Sequence, residues 1–160
     1  MNFSGRVNHK IVRLPALKKI LTALRKKSKT VVFTNGCFDL LHRGHVEYLK
    51  EARSLGDALV VGLNSDASVR RLKGRSRPVT GQEDRAAILA NLESVDFVII
   101  FNENTPYNLI KNLKPDILAK GADWAANSIV GRDIVESYGG RVAVIRYLKG
   151  YSTSSILKRT

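Results

Sequence analysis

Five short apolar runs alternate with helix-like segments along this chain. The runs predict β-strands at residues 30–34, 57–63, 95–101, 116–119 and 141–146. The near-continuous apolar stretch 58–63 is typical of a strand covered on both faces, as in a parallel sheet. Strands that alternate with helices across short loops predict one Rossmann-like, doubly wound α/β domain around a five-stranded parallel sheet.

Helix start and stop residues divide the segments between the strands. Pro15 suits the first turn of a helix that reaches about residue 27, and Gly56 suits the end of a helix over 44–55. Thr80 and Glu83 have the spacing of a capping box for a helix that reaches about residue 92. Further helices are expected at 66–72, 105–113 and 128–138, with a last short helix from residue 152.

Most of the net charge of +13 lies at the N-terminus. Residues 1–30 hold nine of the 27 Lys and Arg residues and none of the 14 acidic ones, which leaves +4 for the rest. We therefore divide the chain into a basic arm and helix, 1–29, that packs on a main domain, 30–160. Leu14, Leu17, Leu21 and Leu24 recur at helical spacing, and no aromatic residues alternate with the lysines as in single-strand binders. This pattern favours a solvated basic helix over a nucleic-acid-binding arm.

The composition excludes several other classes. No apolar stretch approaches the roughly 18 residues of a membrane span, and the first residues lack the apolar core of a signal peptide. The single cysteine, Cys37, excludes an internal disulfide framework and a cysteine-rich zinc site. We expect a cytoplasmic protein with no membrane partner.

Polar clusters follow each predicted strand. They comprise residues 34–45, 64–66, 102–105, 120–124 and 147–154. In a doubly wound sheet the carboxyl ends of the strands lie along one edge, where ligands bind. The clusters therefore predict one site at that edge.

The first cluster has the features of a phosphate site. Gly36 permits a tight turn, and His42 and His45 flank Gly44 where a helix begins. Free amides at a helix start favour an anion, and imidazoles add hydrogen-bond donors. Two ordinary histidines remain an alternative. Zinc is less favoured, because the third histidine, His9, lies in the arm. No Walker-type loop or dinucleotide-binding glycine motif is present.

Two motifs carry a resemblance to a known family. Residues 36–45, Gly-Cys-Phe-Asp-Leu-Leu-His-Arg-Gly-His, resemble the His-x-Gly-His signature of the cytidylyltransferase-like nucleotidyltransferases. Residues 150–156, Gly-Tyr-Ser-Thr-Ser-Ser-Ile, resemble the second signature of that family. Residues 33–39, 61–66, 77–78, 114–116 and 120–121 are similar to the heptose 1-phosphate adenylyltransferases within it.

The resemblance implies a reaction. AMP would pass from ATP to D-glycero-D-manno-heptose 1-phosphate, giving ADP-heptose and pyrophosphate for lipopolysaccharide core or surface glycans. The cytidylyltransferase branch has Arg-Thr-Glu where this chain has Tyr147, Leu148 and Lys149, which favours ATP over CTP. Transfer from CTP to another polyol phosphate, such as glycerol 3-phosphate, stays open. The resemblance also implies a free-standing enzyme, a homodimer, and Mg²⁺ held mainly by phosphate oxygens and water, with no dedicated metal cage.

The same resemblance implies roles for individual residues. The catalytic residues would be His42, His45 and Lys73. ATP would contact Thr34, Asn35, Gly36, Phe38, His42, His45, Lys120, Gly121, Asp123, Tyr151, Ser152, Thr153 and Ser154. The sugar phosphate would contact Asp39, Asn64, Lys73, Arg75, Arg77 and Trp124. Several have structural alternatives: Lys73 as a solvated lysine, Asp39 as a loop anchor, Trp124 as a core residue, and Ser152–Ser154 as helix caps.

Overall fold

A parallel sheet of five strands forms the centre of the molecule. The computed structural model describes residues 8–123 and 128–159. The strands are β1 (Val31–Gly36), β2 (Ala58–Asn64), β3 (Phe97–Phe101), β4 (Ile117–Gly121) and β5 (Arg141–Ile145). Their order across the sheet is β3-β2-β1-β4-β5, and every neighbouring pair is parallel. The predicted doubly wound α/β fold is thereby confirmed.

Seven α-helices connect and flank these strands within the described residues. They are α1 (Leu14–Lys26), α2 (Arg43–Ser54), α3 (Asp66–Lys73), α4 (Gln82–Ala90), α5 (Tyr107–Leu113), α6 (Arg132–Ser137) and α7 (Thr153–Leu157). A 3₁₀ turn, Asn8–Lys10, precedes them. The helix predicted at 128–138 is shorter than expected, since α6 begins only after Gly131 in a left-handed conformation. None of these helices combines the length and the apolar character that crossing a bilayer requires.

Alternating residues of the strands pack into two hydrophobic cores, one on each face of the sheet. On one face Val32, Leu59 and Val61 pack with Leu49 of α2 and Leu89 of α4. On the other face, strand residues pack with helices α1, α5 and α6; this second core includes Val31, Phe33, Val60, Leu118, Leu17, Leu21, Ile110 and Val135. Burial on both faces explains why β2 reads as a continuous apolar run.

The N-terminal helix packs on the body through its leucines. Leu17 and Leu21 of α1 are fully buried, whereas the lysines between them are exposed. The Arg25 guanidinium donates to the carbonyl oxygens of Leu113 and Lys114 at the end of α5. Ahead of α1, the Val12 amide donates to the Val98 carbonyl oxygen at 2.9 Å. These contacts hold α1 against the second core and the end of α5.

Aspartates fix the register of the sheet at its amino edge. Carboxylate oxygens of Asp57, Asp96 and Asp116 accept hydrogen bonds from the amides of Thr30, Leu59 and Val31, at 2.7 to 2.8 Å. Each aspartate directly precedes one strand, and its carboxylate binds an amide at or near the start of the adjacent strand. These acidic side chains therefore serve the fold at the edge opposite the predicted site.

The capping box predicted at Thr80 and Glu83 is wrong. Helix α4 has Gly81 as its N-cap and no side-chain cap. The amide of Thr80 instead donates to the Asp39 carboxylate at 3.0 Å. A tertiary contact thus replaces the local one, and the helix begins one residue later than the motif suggests.

Candidate active site

A cleft lies at the carboxyl edge of the sheet, where strand order reverses between β1 and β4. Its volume is about 430 Å³. Ten residues predicted for the site line it: Asn35, Gly36, Phe38, Asp39, His45, Asn64, Lys73, Lys120, Gly121 and Thr153. The strands, and the loops after them, therefore bring together side chains that are more than 100 positions apart in the sequence.

Two stacked histidines stand at the start of α2. His42 is the N-cap residue, and His45 lies in the first turn. Their ring centroids are 3.8 Å apart and their planes meet at 21°. The Nδ1 atoms of both rings are buried and have no hydrogen-bond partner among residues 8–123 and 128–159. Buried polar atoms without a partner are rare and mark candidate functional sites.

Gly44 brings the two signature motifs into contact. A Cβ atom at this position would lie 3.0 Å from Cε1 and Nδ1 of His42 and 3.0 Å from Cβ of Tyr151. The rings of His42 and Tyr151 are 6.3 Å apart between centroids. The glycine between the histidines thus lets the C-terminal motif approach the first one closely.

Both histidines are poor bases in this setting. Burial lowers the pKa of His45 to about 4, with the nearby charges of His42 and Lys73 adding to the effect. Burial also lowers the pKa of His42. The pair is therefore neutral at neutral pH, and each ring offers one N–H donor.

This depressed pKa has a consequence for stability. The free energy of unfolding is expected to fall as pH drops from 6.5 toward 4, because His45 then binds a proton in the unfolded chain but not in the folded one. The contribution is fully present above the unfolded pKa and is lost as pH falls through the folded pKa. Urea unfolding at pH 7 and pH 5 measures the loss, which should be smaller in His45→Gln. An equal loss in both proteins would show that His45 does not cause it.

Lys120 supplies a buried cation in the cleft wall. It lies on β4 and is 9% exposed. Its ammonium group donates to the side-chain oxygen of Asn35 at the end of β1. Burial lowers the pKa of Lys120 to about 8, against the opposing effect of Asp123. A buried ammonium with a neutral hydrogen-bond partner is suited to bind an anion that brings its own charge.

The C-terminal motif forms a capped helix start beside the cleft. The Ser152 hydroxyl accepts a hydrogen bond from the Ser155 amide at 3.1 Å, and the Ser155 hydroxyl accepts one from the Ser152 amide at 3.3 Å. Ser152 thus has the capping role that the sequence left open. Thr153 lines the cleft, whereas Tyr151, Ser152 and Ser154 are exposed next to it.

Asp39 holds the protein's own loop. Its carboxylate accepts hydrogen bonds from the amides of Val79 (2.8 Å) and Thr80 (3.0 Å) and pairs with Nε of Arg77 at 2.6 Å. Burial acts to raise the pKa of Asp39, but these three partners outweigh it and lower the pKa. The structure therefore favours the loop-anchor role of Asp39 over the predicted substrate contact. The same pairing occupies Nε of Arg77.

Other predicted residues differ in their access to the cleft. Thr34 was predicted to contact ATP, but its side chain does not line the cleft. It is fully buried, and its hydroxyl is 2.8 Å from the Tyr48 hydroxyl. Asn64 lines the cleft but does not cap α3, a role that Ser65 takes. Arg75 and Asp123 are exposed and lie outside the cleft wall. Trp124 lies outside the described residues.

Nine residues of the cleft wall were not named as individual contacts, although Cys37, Asn104, Thr105 and Tyr147 fall within the predicted polar clusters. They are Cys37, Tyr48, Leu72, Asn104, Thr105, Pro106, Ile129, Val130 and Tyr147. The polar cluster after the third strand already signalled Asn104 and Thr105. Tyr147 stacks on Tyr48 with centroids 5.4 Å apart, and a Cβ atom on Gly121 would lie 2.1 Å from its ring. The close approach of Tyr147 therefore requires a glycine at position 121. No local sequence pattern predicts this contact.

The described side chains suit phosphate better than a bare metal ion. Among them there is no group of three or more His, Cys, Asp or Glu residues placed to hold a metal. The Asp39 carboxylate is engaged by Arg77 and two amides. Histidine, lysine, amide and hydroxyl groups dominate the cleft, and these groups bind phosphate oxygens.

Comparison with known proteins decides the family. The family described as cytidylyltransferase-like matches residues 33–159. The chain belongs to the cytidylyltransferase-like family of nucleotidyltransferases. Both signature motifs and the whole parallel sheet after its first two residues fall within the matched residues.

Several curated relatives are more than half identical to this chain. The bifunctional protein HldE of Geobacter sulfurreducens is 54% identical over 155 residues, which are 97% of this chain and 32% of that protein. HldE of Syntrophotalea carbinolica is 58% identical over 144 residues, 90% of this chain and 29% of that protein. The chain thus spans about a third of the length of these curated relatives.

Solved structures agree on the fold. The lipopolysaccharide core biosynthesis protein from Thermoplasma volcanium is 33% identical, with a TM-score of 0.62 over 78% of this chain and 99% of that one. Pantoate–β-alanine ligase from Francisella tularensis, solved with an ATP analogue and β-alanine, has a TM-score of 0.63 over 92% of this chain and 75% of that one. It is 18% identical and supports the fold alone.

Proposed function

We propose that this protein transfers AMP from ATP to D-glycero-D-manno-heptose 1-phosphate, giving ADP-heptose and pyrophosphate. The observation that carries the proposal is the meeting of the two family signatures at one cleft, with Gly44 packed between His42 and Tyr151. The substrate rests on the sequence resemblance to heptose 1-phosphate adenylyltransferases. The identity to HldE proteins and the likeness to a lipopolysaccharide core biosynthesis protein support it.

The proposed chemistry is a direct in-line displacement. A phosphate oxygen of the sugar phosphate forms a bond to the α-phosphorus of ATP, and the bond from that phosphorus to the bridging oxygen breaks. Pyrophosphate leaves with the bonding electrons. The attacking phosphate is already ionised, so the step uses no protein nucleophile and no general base. Catalysis then rests on positioning and on charge stabilisation.

The cleft offers groups for each part of that task. His42 and His45 stabilise the charge that develops on the reacting phosphates, and Lys120 attracts the triphosphate. Asn35, Gly36 and Phe38 lie along the same wall. Ser152, Thr153 and Ser154 contact the β- and γ-phosphates, with Tyr151 and Asp123 beside the nucleotide. Mg²⁺ would come with ATP and offset phosphate charge, bound mainly by phosphate oxygens and water rather than by side chains of this chain.

The sugar phosphate is assigned to the side of the cleft that Lys73 and Asn64 line. Lys73 is exposed at the end of α3, next to a basic loop that contains Arg75 and Arg77. We assign Lys73 to the phosphate of the sugar, with Arg75 as a secondary contact. Arg77 lies outside the cleft wall, but it keeps one buried nitrogen, Nη2, without a partner among the described residues while its Nε holds Asp39.

Preference for ATP over CTP is a separate part of the proposal. Tyr147 stands where the cytidylyltransferase branch has an arginine, and it forms part of the cleft wall. A second candidate, transfer from CTP to a polyol phosphate such as glycerol 3-phosphate, keeps the same site and mechanism. We further propose a homodimer in the cytoplasm, where ATP is available; light scattering of the purified chain tests the dimer.

A pyrophosphate-release assay tests the proposal directly. ATP and CTP are each combined with heptose 1-phosphate, other sugar 1-phosphates and glycerol 3-phosphate. We expect release only with ATP and heptose 1-phosphate, and ADP-heptose as the product by mass spectrometry. Release with CTP and a polyol phosphate would favour the second candidate. Binding of nucleic acid through residues 1–30 without any turnover would contradict both and favour a binding module.

A further inference from the structure

Arg85 is a fully buried arginine behind the cleft. It lies on α4, and none of its surface is exposed. Its guanidinium donates to three carbonyl oxygens, those of Thr80 (2.9 Å), Cys37 (2.5 Å) and Asn64 (2.9 Å). It also pairs with the Asp66 carboxylate at 2.7 Å. Few side chains could satisfy so many acceptors at once, since only arginine presents five donors in a rigid fork.

The three carbonyl groups belong to three segments around the cleft. Cys37 follows β1, Asn64 ends β2, and Thr80 lies in the loop before α4. Cys37 and Asn64 also line the cleft themselves. Buried carbonyl groups need a hydrogen-bond donor. Arg85 supplies that donor and ties the segments to one another.

One of these bonds bears on the histidine pair. The Cys37 carbonyl lies in the turn between Gly36 and Phe38, and Phe38 has a positive φ of 43°, which non-glycine residues seldom adopt. The Phe38 ring packs edge-on against His45, with centroids 5.3 Å apart. The path from Arg85 to His45 thus runs through one carbonyl and one aromatic contact.

A second pair of side chains, Asp39 and Arg77, also holds the loop over 74–80. The Thr80 carbonyl oxygen accepts a hydrogen bond from Nε of Arg85, and the Thr80 amide donates one to the Asp39 carboxylate. Asp39 in turn pairs with Arg77. The loop over 74–80, which begins directly after Lys73, is therefore fastened to the turn after β1 at both of these groups.

We propose that Arg85 is a positioning residue for adenylyl transfer, which holds the turn around Cys37 and the loop after Lys73 in the geometry that the reaction needs. The inference rests on the proposed function for its kinetic consequence. The position of the turn can be measured without any substrate, because Cys37 is the sole cysteine of the chain and half-buried in that turn.

The first experiment follows the reactivity of that thiol in the whole chain. Arg85→Met, Arg85→Lys and the control Arg53→Met are treated with a disulfide thiol reagent. Arg53 is a matched control because it makes similar bonds at the opposite edge of the sheet, to the Gly56 carbonyl and to Asp96, both at 2.7 Å. Burial raises the pKa of the Cys37 thiol, so wild type should react slowly. Arg85→Met should react at least about tenfold faster, and Arg53→Met like wild type.

The second experiment compares kcat with KM in the same proteins. Arg85→Met should lose about 100-fold in kcat with a smaller change in the KM for ATP, because the displaced turn carries the histidine contact. Arg85→Lys keeps the charge but not the fork and should recover part of the loss. Arg53→Met should lose stability but keep its kcat within about threefold.

The outcomes separate the two proposals. A folded Arg85→Met protein with wild-type thiol reactivity overturns the positioning role, as does an equal loss of kcat in Arg53→Met. If Arg85→Met does not fold, Arg85→Lys carries the same two tests. If wild type transfers no AMP while Arg85→Met exposes the thiol, the proposed function fails and the role of Arg85 in holding the turn stands.

Discussion

His42→Ala and His45→Ala are each expected to lower the turnover number of adenylyl transfer by at least about 100-fold while the chain stays folded. The two rings stack at 3.8 Å beside the start of α2, and each keeps a buried nitrogen without a partner among the described residues. Donors held in place at the reacting phosphate stabilise the transition state, since they need no reorganisation when charge develops. The initial rate of pyrophosphate release at saturating ATP measures the effect.

The chain supplies its own control for this experiment. His9 is exposed in the 3₁₀ turn near the N-terminus, at the amino side of the sheet, and His9→Ala should keep the wild-type rate. Circular dichroism and thermal unfolding establish that all three variants are folded. Rates near wild type in either His42→Ala or His45→Ala would remove that residue from the mechanism.

The charge state of the pair adds a physical reason for the size of the effect. Burial holds the pKa of His45 at about 4 and lowers that of His42, so neither ring carries a stable charge at pH 7. A phosphate beside the rings favours their protonated form. In the proposed reaction, the neutral rings donate N–H hydrogen bonds to the phosphate oxygens, and these bonds strengthen as the reacting phosphate becomes more negative.

The fold was largely predictable because the signal for it is local. Strands buried on both faces must be apolar along their length, and β2 shows this at all seven positions. Helix α1 was predicted from Pro15 and the leucine spacing, and two of those leucines are fully buried. The capping box at Thr80 failed for the opposite reason: the partner of the Thr80 amide, Asp39, lies 41 positions away.

The site was predictable only where its residues belong to a motif. His45, Lys120 and Thr153 follow strands or begin helices, so the topology brings them to one cleft, and His42 stacks on His45 beside it. Arg85 has no such signal. It sits in a short helix among Gln82, Glu83 and Asp84, where it resembles a solvated surface residue. Its burial depends on carbonyl groups that the folded sheet alone brings together.

Lys120→Met is expected to lower kcat/KM for ATP by about 100-fold, because it removes a buried cation from the wall of the cleft that His45 also lines. The hydrogen-bond partner of Lys120 is the neutral side chain of Asn35, so its charge is available to a triphosphate. Methionine matches the length of the lysine stem and keeps most of its packing. Initial rates at low ATP give kcat/KM directly.

Two further features make this prediction specific to the charge of Lys120. With the pKa of Lys120 lowered to about 8, the cationic form dominates below that pH, and kcat/KM of wild type should decline above it. That decline should be absent from Lys120→Met. The matched control is Lys10→Met, since the Lys10 ammonium also binds neutral oxygens, the carbonyls of Val95 (2.7 Å) and Leu92 (3.3 Å), but at the amino edge of the sheet. Lys10→Met should lose stability without losing rate. An equal drop in kcat/KM in both variants would mean that each lysine serves the fold, and that Lys120 does not attract the triphosphate.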